Sequence, residues 1–116
     1  MPETQYLRAY VTSGVTNPQI GVLPANAWVE RVHRDVTEAF NSDGADNIKV
    51  GHSTDDDAYA TNTDVSSTGR KTVTLGAGVG YDSTARTVDA TYTAGGTDPT
   101  TGKAHVVIEF FLLPPE

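Results

Sequence analysis

His105-Val-Val-Ile-Glu-Phe-Phe-Leu-Leu113 is the densest apolar stretch of the chain. Val106, Ile108, Phe110 and Leu112 alternate to one side, and Val107, Phe111 and Leu113 to the other, with Glu109 as the break. Successive side chains of a strand point to opposite faces, so a run that is oily on both belongs inside a sheet or sandwich core. A short buried helix would show the same composition. The β-branched residues that open the run and the Pro114-Pro115 that closes it favour the strand. Because this strand comes last, earlier strands must wait for it, which is the mark of a high-contact-order fold.

Outward from this run the chain divides into short alternating segments. Tyr6, Arg8, Tyr10 and Thr12 face one way and Leu7, Ala9 and Val11 the other, so Tyr6–Thr12 is a strand with one buried face. Ser13-Gly14 and Asn17-Pro18 mark turns, and Gln19–Leu23 is a short strand stopped by Pro24. Asn47–His52, Arg70–Leu75 and Arg86–Thr93 alternate clearly, and Thr63–Ser67 fits a short edge strand. Ser53–Asn62 is polar and expected to be a loop. Gly76-Ala-Gly-Val-Gly80 is expected to turn a corner or approach another strand closely.

Trp28–Phe40 fits two patterns. Trp28, Val29, Val32, Val36, Ala39 and Phe40 make a helical stripe, with Asn26 as a cap. As a strand, Trp28, Val32, Val36 and Phe40 share a face broken by Glu30, Arg34 and Glu38. Local pattern leaves both open.

Length and composition bound the rest. The 116 residues make one domain, expected at residues 6–116 behind a polar, mobile arm at residues 1–5. There is no Cys, hence no disulfide framework. No apolar run approaches the ~20 residues of a membrane helix, and Met1-Pro-Glu-Thr-Gln has no secretory n- or h-region. A net charge of −7, from 15 acidic and 8 basic residues, argues against nucleic acid and anionic membranes as partners.

A search for chemistry finds no catalytic constellation. His33, His52 and His105 are far apart in sequence and form no paired-ligand spacing. Asp55-Asp56-Asp57 with Asp64 offers oxygens for Ca²⁺, but the spacing is not that of an EF-hand loop, and a solvated acidic loop explains it as well. The glycine run lacks the Gly-Lys-Ser/Thr of a phosphate loop. Tyr6, Tyr10, Trp28, Tyr59, Tyr81 and Tyr92 suit a sugar platform, or a core and subunit interface. No enzyme activity, metal or cofactor is expected.

From Leu23 to Phe111 the order of phrases resembles a known group. They are Leu23-Pro-Ala-Asn-Ala27, Arg31-Val32, Val36-Thr-Glu-Ala-Phe-Asn41, Val50-Gly51, Gly69-Arg-Lys-Thr-Val-Thr-Leu75, Gly80-Tyr-Asp82, Arg86-Thr-Val-Asp-Ala-Thr-Tyr92 and Ala104-His-Val-Val-Ile-Glu109. This order is similar to small virion structural proteins of tailed bacteriophages, which decorate the capsid or form part of a fibre. The resemblance implies a strand over Ala27–Phe40, although Glu30, His33, Arg34, Asp35 and Glu38 depart from its Val- and Thr-rich pattern. With the segments above, the expected fold is all-β, a jelly-roll-like antiparallel β-sandwich of about eight strands.

The role implied is a capsid decoration (cement) protein at the virion surface. A trimer bound to the major capsid protein is the implied assembly. A tail-fibre, baseplate or head-fibre component is the alternative, and a carbohydrate-binding module is a rival of another class. Candidate interface residues lie near the two ends: Tyr6, Leu7, Tyr10 and Val11, with Leu112 and Leu113.

Overall fold

A computed structural model describes residues 3–114. Nine strands follow in order: β1 (Gln5–Thr12), β2 (Gln19–Leu23), β3 (Ala27–Glu38), β4 (Asp46–His52), β5 (Asp55–Asp64), β6 (Gly69–Thr72), β7 (Gly80–Asp82), β8 (Arg86–Ala94) and β9 (Lys103–Leu112). Among the described residues every regular element is a strand. The first sheet has the order β1-β9-β3-β6, and the second β2-β8-β4-β5. β6 and β7 sit end to end on the free edge of β3, opposite His33–Val36 and Ala27–Val29. All pairings are antiparallel, giving a jelly-roll-like β-sandwich.

The last apolar run lies inside its sheet, between β1 and β3. Ala104, Val106, Ile108 and Phe110 face the core, while Val107 and Phe111 are half-buried on the outer face. The facing strands contribute Ile48, Val50, Val88 and Ala90, all fully buried. Phe40 closes one end of the core, its ring stacked on Tyr92 at 4.7 Å.

β3 is a strand, and its apparent helical stripe has a physical cause. The pairing with β9 slips between Val29 and Arg31, so the chain carries an extra residue there. A bulge of this kind reverses which side chains point inward. Ala27 and Val29 point in before it, Val32 and Val36 after it, and the spacing imitates a helix. The strand expectation placed Trp28 on the face of Val32 and Val36. The bulge turns Trp28 outward instead, leaving it 41% exposed.

Three other expectations are corrected. Ser53–Asn62 is not a loop: β5 begins at Asp55, pairs with β4, and buries Ala58, Tyr59 and Ala60 in succession. The separate edge strand at Thr63–Ser67 is the end of β5, followed by buried Val65 and a bend. Arg70–Leu75 is not one strand. β6 ends at Thr72, Val73 still donates to the Val32 carbonyl at 2.8 Å, and Leu75 bridges Ala60 in the other sheet. The chain therefore crosses between sheets within Val73–Leu75.

The glycine corner that follows is held against β5. Gly76 and Gly78 donate to the carbonyls of Tyr59 and Ala58 at 3.0 and 2.7 Å. A Cβ on Gly76 would lie 2.2 Å from the Asp57 carbonyl oxygen, so close approach explains that glycine. At the N-terminal end β1 already includes Gln5, which pairs with Phe110. Residues 1, 2, 115 and 116, parts of the expected arm and tail, lie outside the described residues.

Candidate interaction surface

The cations gather on one sheet. Arg8, Arg31, Arg34, Arg70, Lys71 and Lys103 all lie on strands of the first sheet, together with His33 and His105. The second sheet carries Lys49 and Arg86 against Asp46, Asp55, Asp56, Asp57, Asp64 and Asp89. The first sheet also carries Glu30, Asp35, Glu38, Asp82 and Glu109, so its strands are close to neutral while those of the second sheet are acidic.

Register sets the order of side chains across that face. At one end Phe111, Trp28 and Tyr81 stand side by side on β9, β3 and β7. Trp28 stacks on Phe111 with ring centres 6.1 Å apart, and the Tyr81 hydroxyl donates to Asn26 at 2.7 Å. The next row is Tyr6, Glu109 and Arg31, then Arg8, Val107, His33 and Thr72, then Tyr10, His105, Asp35 and Arg70. Tyr10 packs on His105 at 4.7 Å.

Ion pairs bind these rows together. Glu109 Oε2 lies 2.8 Å from His33 Nε2 and 3.7 Å from Arg31. The hydrogen bond from His33 holds the Glu109 carboxyl below its ordinary value; burial opposes this, and the charge of Arg31 assists it. Asp35 pairs with Arg70 at 3.5 Å. Thr72 Oγ1 approaches His33 Nδ1 at 3.2 Å, so a hydroxyl, an imidazole and a carboxylate stand in line. The atom types match a nucleophile relay, but the setting does not. The three groups cross an open sheet face, where ladder N–H groups lie in the sheet plane rather than aimed at a substrate oxygen. The line orients charge on the face.

Beside this line is an open groove of about 590 Å³ lined on the outer face by Arg8, Arg70, His33, His105 and Asp35, while Arg34 and Lys71, which also border it, share by register the inward face of Val32, Val36 and Val106. Arg34 donates to the Gly69 carbonyl, while its buried Nε finds no acceptor among the described residues.

The residues expected at an interface divide in two. Tyr6 and Tyr10 are 61% and 43% exposed on this outer face. Val11 is fully buried, Leu7 and Leu112 pack against the core, and Leu113 is half-buried. Tyr59 and Tyr92 are interior and leave any aromatic platform. His33 and His105, far apart in sequence, share the groove, while His52 lies on the second sheet. The carboxylates of Asp55, Asp56 and Asp57 lie within 4.8 Å of one another at the start of β5, and Lys49 pairs with Asp56 at 3.3 Å. Crowding raises Asp57, first through its hydrogen bond to Asp55. The sequence missed the Phe111-Trp28-Tyr81 row and the groove, because both depend on β3 pairing with β6, β7 and β9. Their only local signal is Trp28, whose expected orientation was inverted.

No protein-family model and no curated protein matches the chain. Solved structures do. A chain in the capsid asymmetric unit of cyanophage Pam1 is similar with a TM-score of 0.74 at 15% identity, over 97% of this chain and 86% of that one. A chain in the acid-stable capsid of Helicobacter pylori bacteriophage KHP30 gives 0.70 at 16% identity, covering 97% and 90%. One in the capsid of Ralstonia phage GP4 gives 0.64 at 18%, covering 98% and 86%. The fold of this chain, nearly end to end, is one also found in phage capsids.

Proposed function

We propose that this chain is a structural protein of a tailed-phage virion, a decoration (cement) protein that binds the assembled shell and stabilises it. The likeness to chains of three phage capsids over almost the whole length is the observation that carries this reading. The outer face of the first sheet supports a binding role. Exposed Trp28, Tyr6 and Tyr10 beside several arginines give it the Trp, Tyr and Arg composition typical of binding hot spots. A part that binds only the assembled shell stabilises it by mass action. The protein acts without catalysis, at the capsid surface, alongside the major capsid protein and as a trimer.

Quantitative mass spectrometry of density-purified particles tests this. Copy numbers comparable to the main shell protein support decoration. A handful per particle would move the chain to a fibre, baseplate or tail station, and complete absence would overturn the virion reading. Heads stripped of the protein are expected to lose thermal or osmotic resistance. Unchanged resistance would sink the cement role.

A further inference from the structure

We propose that the outer edge of β1 takes up an extended segment of a partner chain as an added strand, held by the backbone N–H and C=O groups of Tyr6, Arg8 and Tyr10. The inference deepens the reading of the chain as a shell-binding part and rests on it only for where the partner is found. The edge itself can be tested without any particle.

Hydrogen-bond parity identifies the free groups. In an antiparallel ladder the N–H and C=O of one residue point to the same side, and the side alternates along the strand. Ser13 donates to the Gly102 carbonyl at 3.1 Å, continuing the register that pairs Gln5 with Phe110. Thr12 exchanges both its bonds with Val15 at 3.1 Å, on the side away from β9. Leu7, Ala9 and Val11 therefore bond to β9, whereas Tyr6, Arg8 and Tyr10 turn their backbone groups outward. Among the described residues no strand pairs with β1 on that side.

The other sheet edges are guarded. β5 is covered by the chain after β6: Thr61 donates to Thr74, and Gly76 and Gly78 donate to Tyr59 and Ala58. β2 is short, lies between Pro18 and Pro24, and slips register between Gln19 and Gly21. β6 and β7 are shorter still, and β6 carries Arg70 and Lys71. Shortness, proline, bulges, cations and covering chain are the devices that keep an edge from pairing. β1 runs 8 residues without a proline or a register shift, and its one charge is Arg8.

Arg8 selects the occupant. A second copy paired in full register through this edge sets Tyr6 against Tyr10 and Arg8 against Arg8, and like charges directly opposite repel. Sliding that copy two residues one way needs the backbone of Thr12, which Val15 already holds. Sliding it the other way carries Tyr10 past the start of the strand at Gln5. A partner segment with a carboxylate opposite Arg8 uses all the outward groups, and among the described residues no carboxylate pairs with Arg8. Exposed Tyr6 and Tyr10 flank Arg8 and add contact area. Alternate side chains of the segment fall beside Leu7 and Ala9 and extend the core face. The segment that fits is free of proline, apolar at alternate positions and acidic at its centre.

The test follows backbone amides of the isotope-labelled full chain by NMR, alone and with the capped peptide Thr-Val-Glu-Val-Thr, whose residue order is the same in either strand direction. In the free chain the Tyr6, Arg8 and Tyr10 amides are expected to exchange with solvent faster than those of Leu7, Ala9 and Val11. The peptide should slow the first set and leave the second unchanged. Replacing its Glu by Lys is expected to weaken binding about fivefold, and Arg8→Glu should reverse that preference. Arg8→Pro removes an outward N–H without breaking a bond to β9 and should abolish binding; Arg8→Glu keeps the test decisive if the proline variant does not fold. Outward amides that become protected as protein concentration rises would give the edge to a second copy and overturn the proposal. Absence of peptide binding, equal slowing of both sets, or indifference to the charge opposite Arg8 would also overturn it. A second arm adds Arg8→Glu to particles stripped of the wild-type chain, where poor reattachment is expected. Unchanged reattachment would mean that another surface holds the shell and would overturn this edge as the contact. If the wild-type chain binds the peptide with alternating protection but is absent from virions, the virion reading fails and the edge site stands.

Discussion

Gly102 has a φ of 147°, and a Cβ there would lie 2.3 Å from the Phe40 ring. Both the backbone and the packing exclude a side chain, so Gly102→Ala is expected to cost about 3 kcal/mol in chemical denaturation. Asp46 is buried and accepts hydrogen bonds from the Tyr92 hydroxyl and from the Ser42 N–H, the latter at 3.2 Å. Tyr92→Phe removes one of these donors from a buried acidic group and should cost about 2 kcal/mol. Burial, then the bond to Asp46, pushes the Tyr92 hydroxyl up to about 12, and burial does the same to Tyr59. The unfolded chain ionises both near 10, so stability is full below pH 10 and falls as the pH rises from 10 toward about 12. On the acid side Glu109 and Asp82 sit below their ordinary values, held first by His33 and Arg86 respectively. What they contribute is full above pH 4.5 and 3.8 and is lost as the pH falls through the lowered values. Glu109→Gln should therefore flatten the acid limb of a stability-versus-pH curve.

The strand elements were legible in the sequence wherever one face was buried throughout. Arg86 onward alternates cleanly and forms β8, whereas Gln19–Leu23 was legible as β2 from the turn and the proline that bound it, since a register shift at Gln19/Gly21 leaves Ile20 and Leu23 buried three apart. β5 was hidden because it is an edge strand that opens on three aspartates, and charge on an edge is how a sheet discourages further pairing. β3 was ambiguous because its bulge breaks the period of two. That bulge gives an element-scale prediction. Deleting Glu30 would restore strict alternation and drive Trp28 inward or Val32 outward, so thermal unfolding should show a severe loss. Glu30→Gln, a surface change, should stay within about 0.5 kcal/mol of the parent. On β9 the two faces should differ as strongly. Ile108→Ala is expected to cost about 3 kcal/mol, because its side chain is wholly in the core, whereas Val107→Thr on the outer face should cost under about 1 kcal/mol.

At the scale of the molecule, the sandwich could be read from the strands, but which charges share a face could not. Acidic and basic residues are interleaved along the chain: Arg34 precedes Asp35 on β3, and Lys49 follows Asp46 on β4. Only the pleat and the pairing register decide that Asp35 stands beside Arg70 on one face while Arg34 takes the other. The first sheet cannot close without β9, which joins β1 to β3. A chain ending at residue 102 is therefore expected to show no dispersed amide spectrum by NMR, and native-like dispersion would contradict this account.

Gln5 pairs with Phe110, so the polypeptide enters β1 and leaves β9 at the same pole, beside the Trp28–Phe111 stack. A short bridge between those two points would let the molecule be circularly permuted, with new ends opened in the exposed Ser66–Thr68 segment between the sheets. Passengers fused at either original end would crowd that aromatic pole, whereas passengers on the permutant would leave from the β5–β6 connection and spare it.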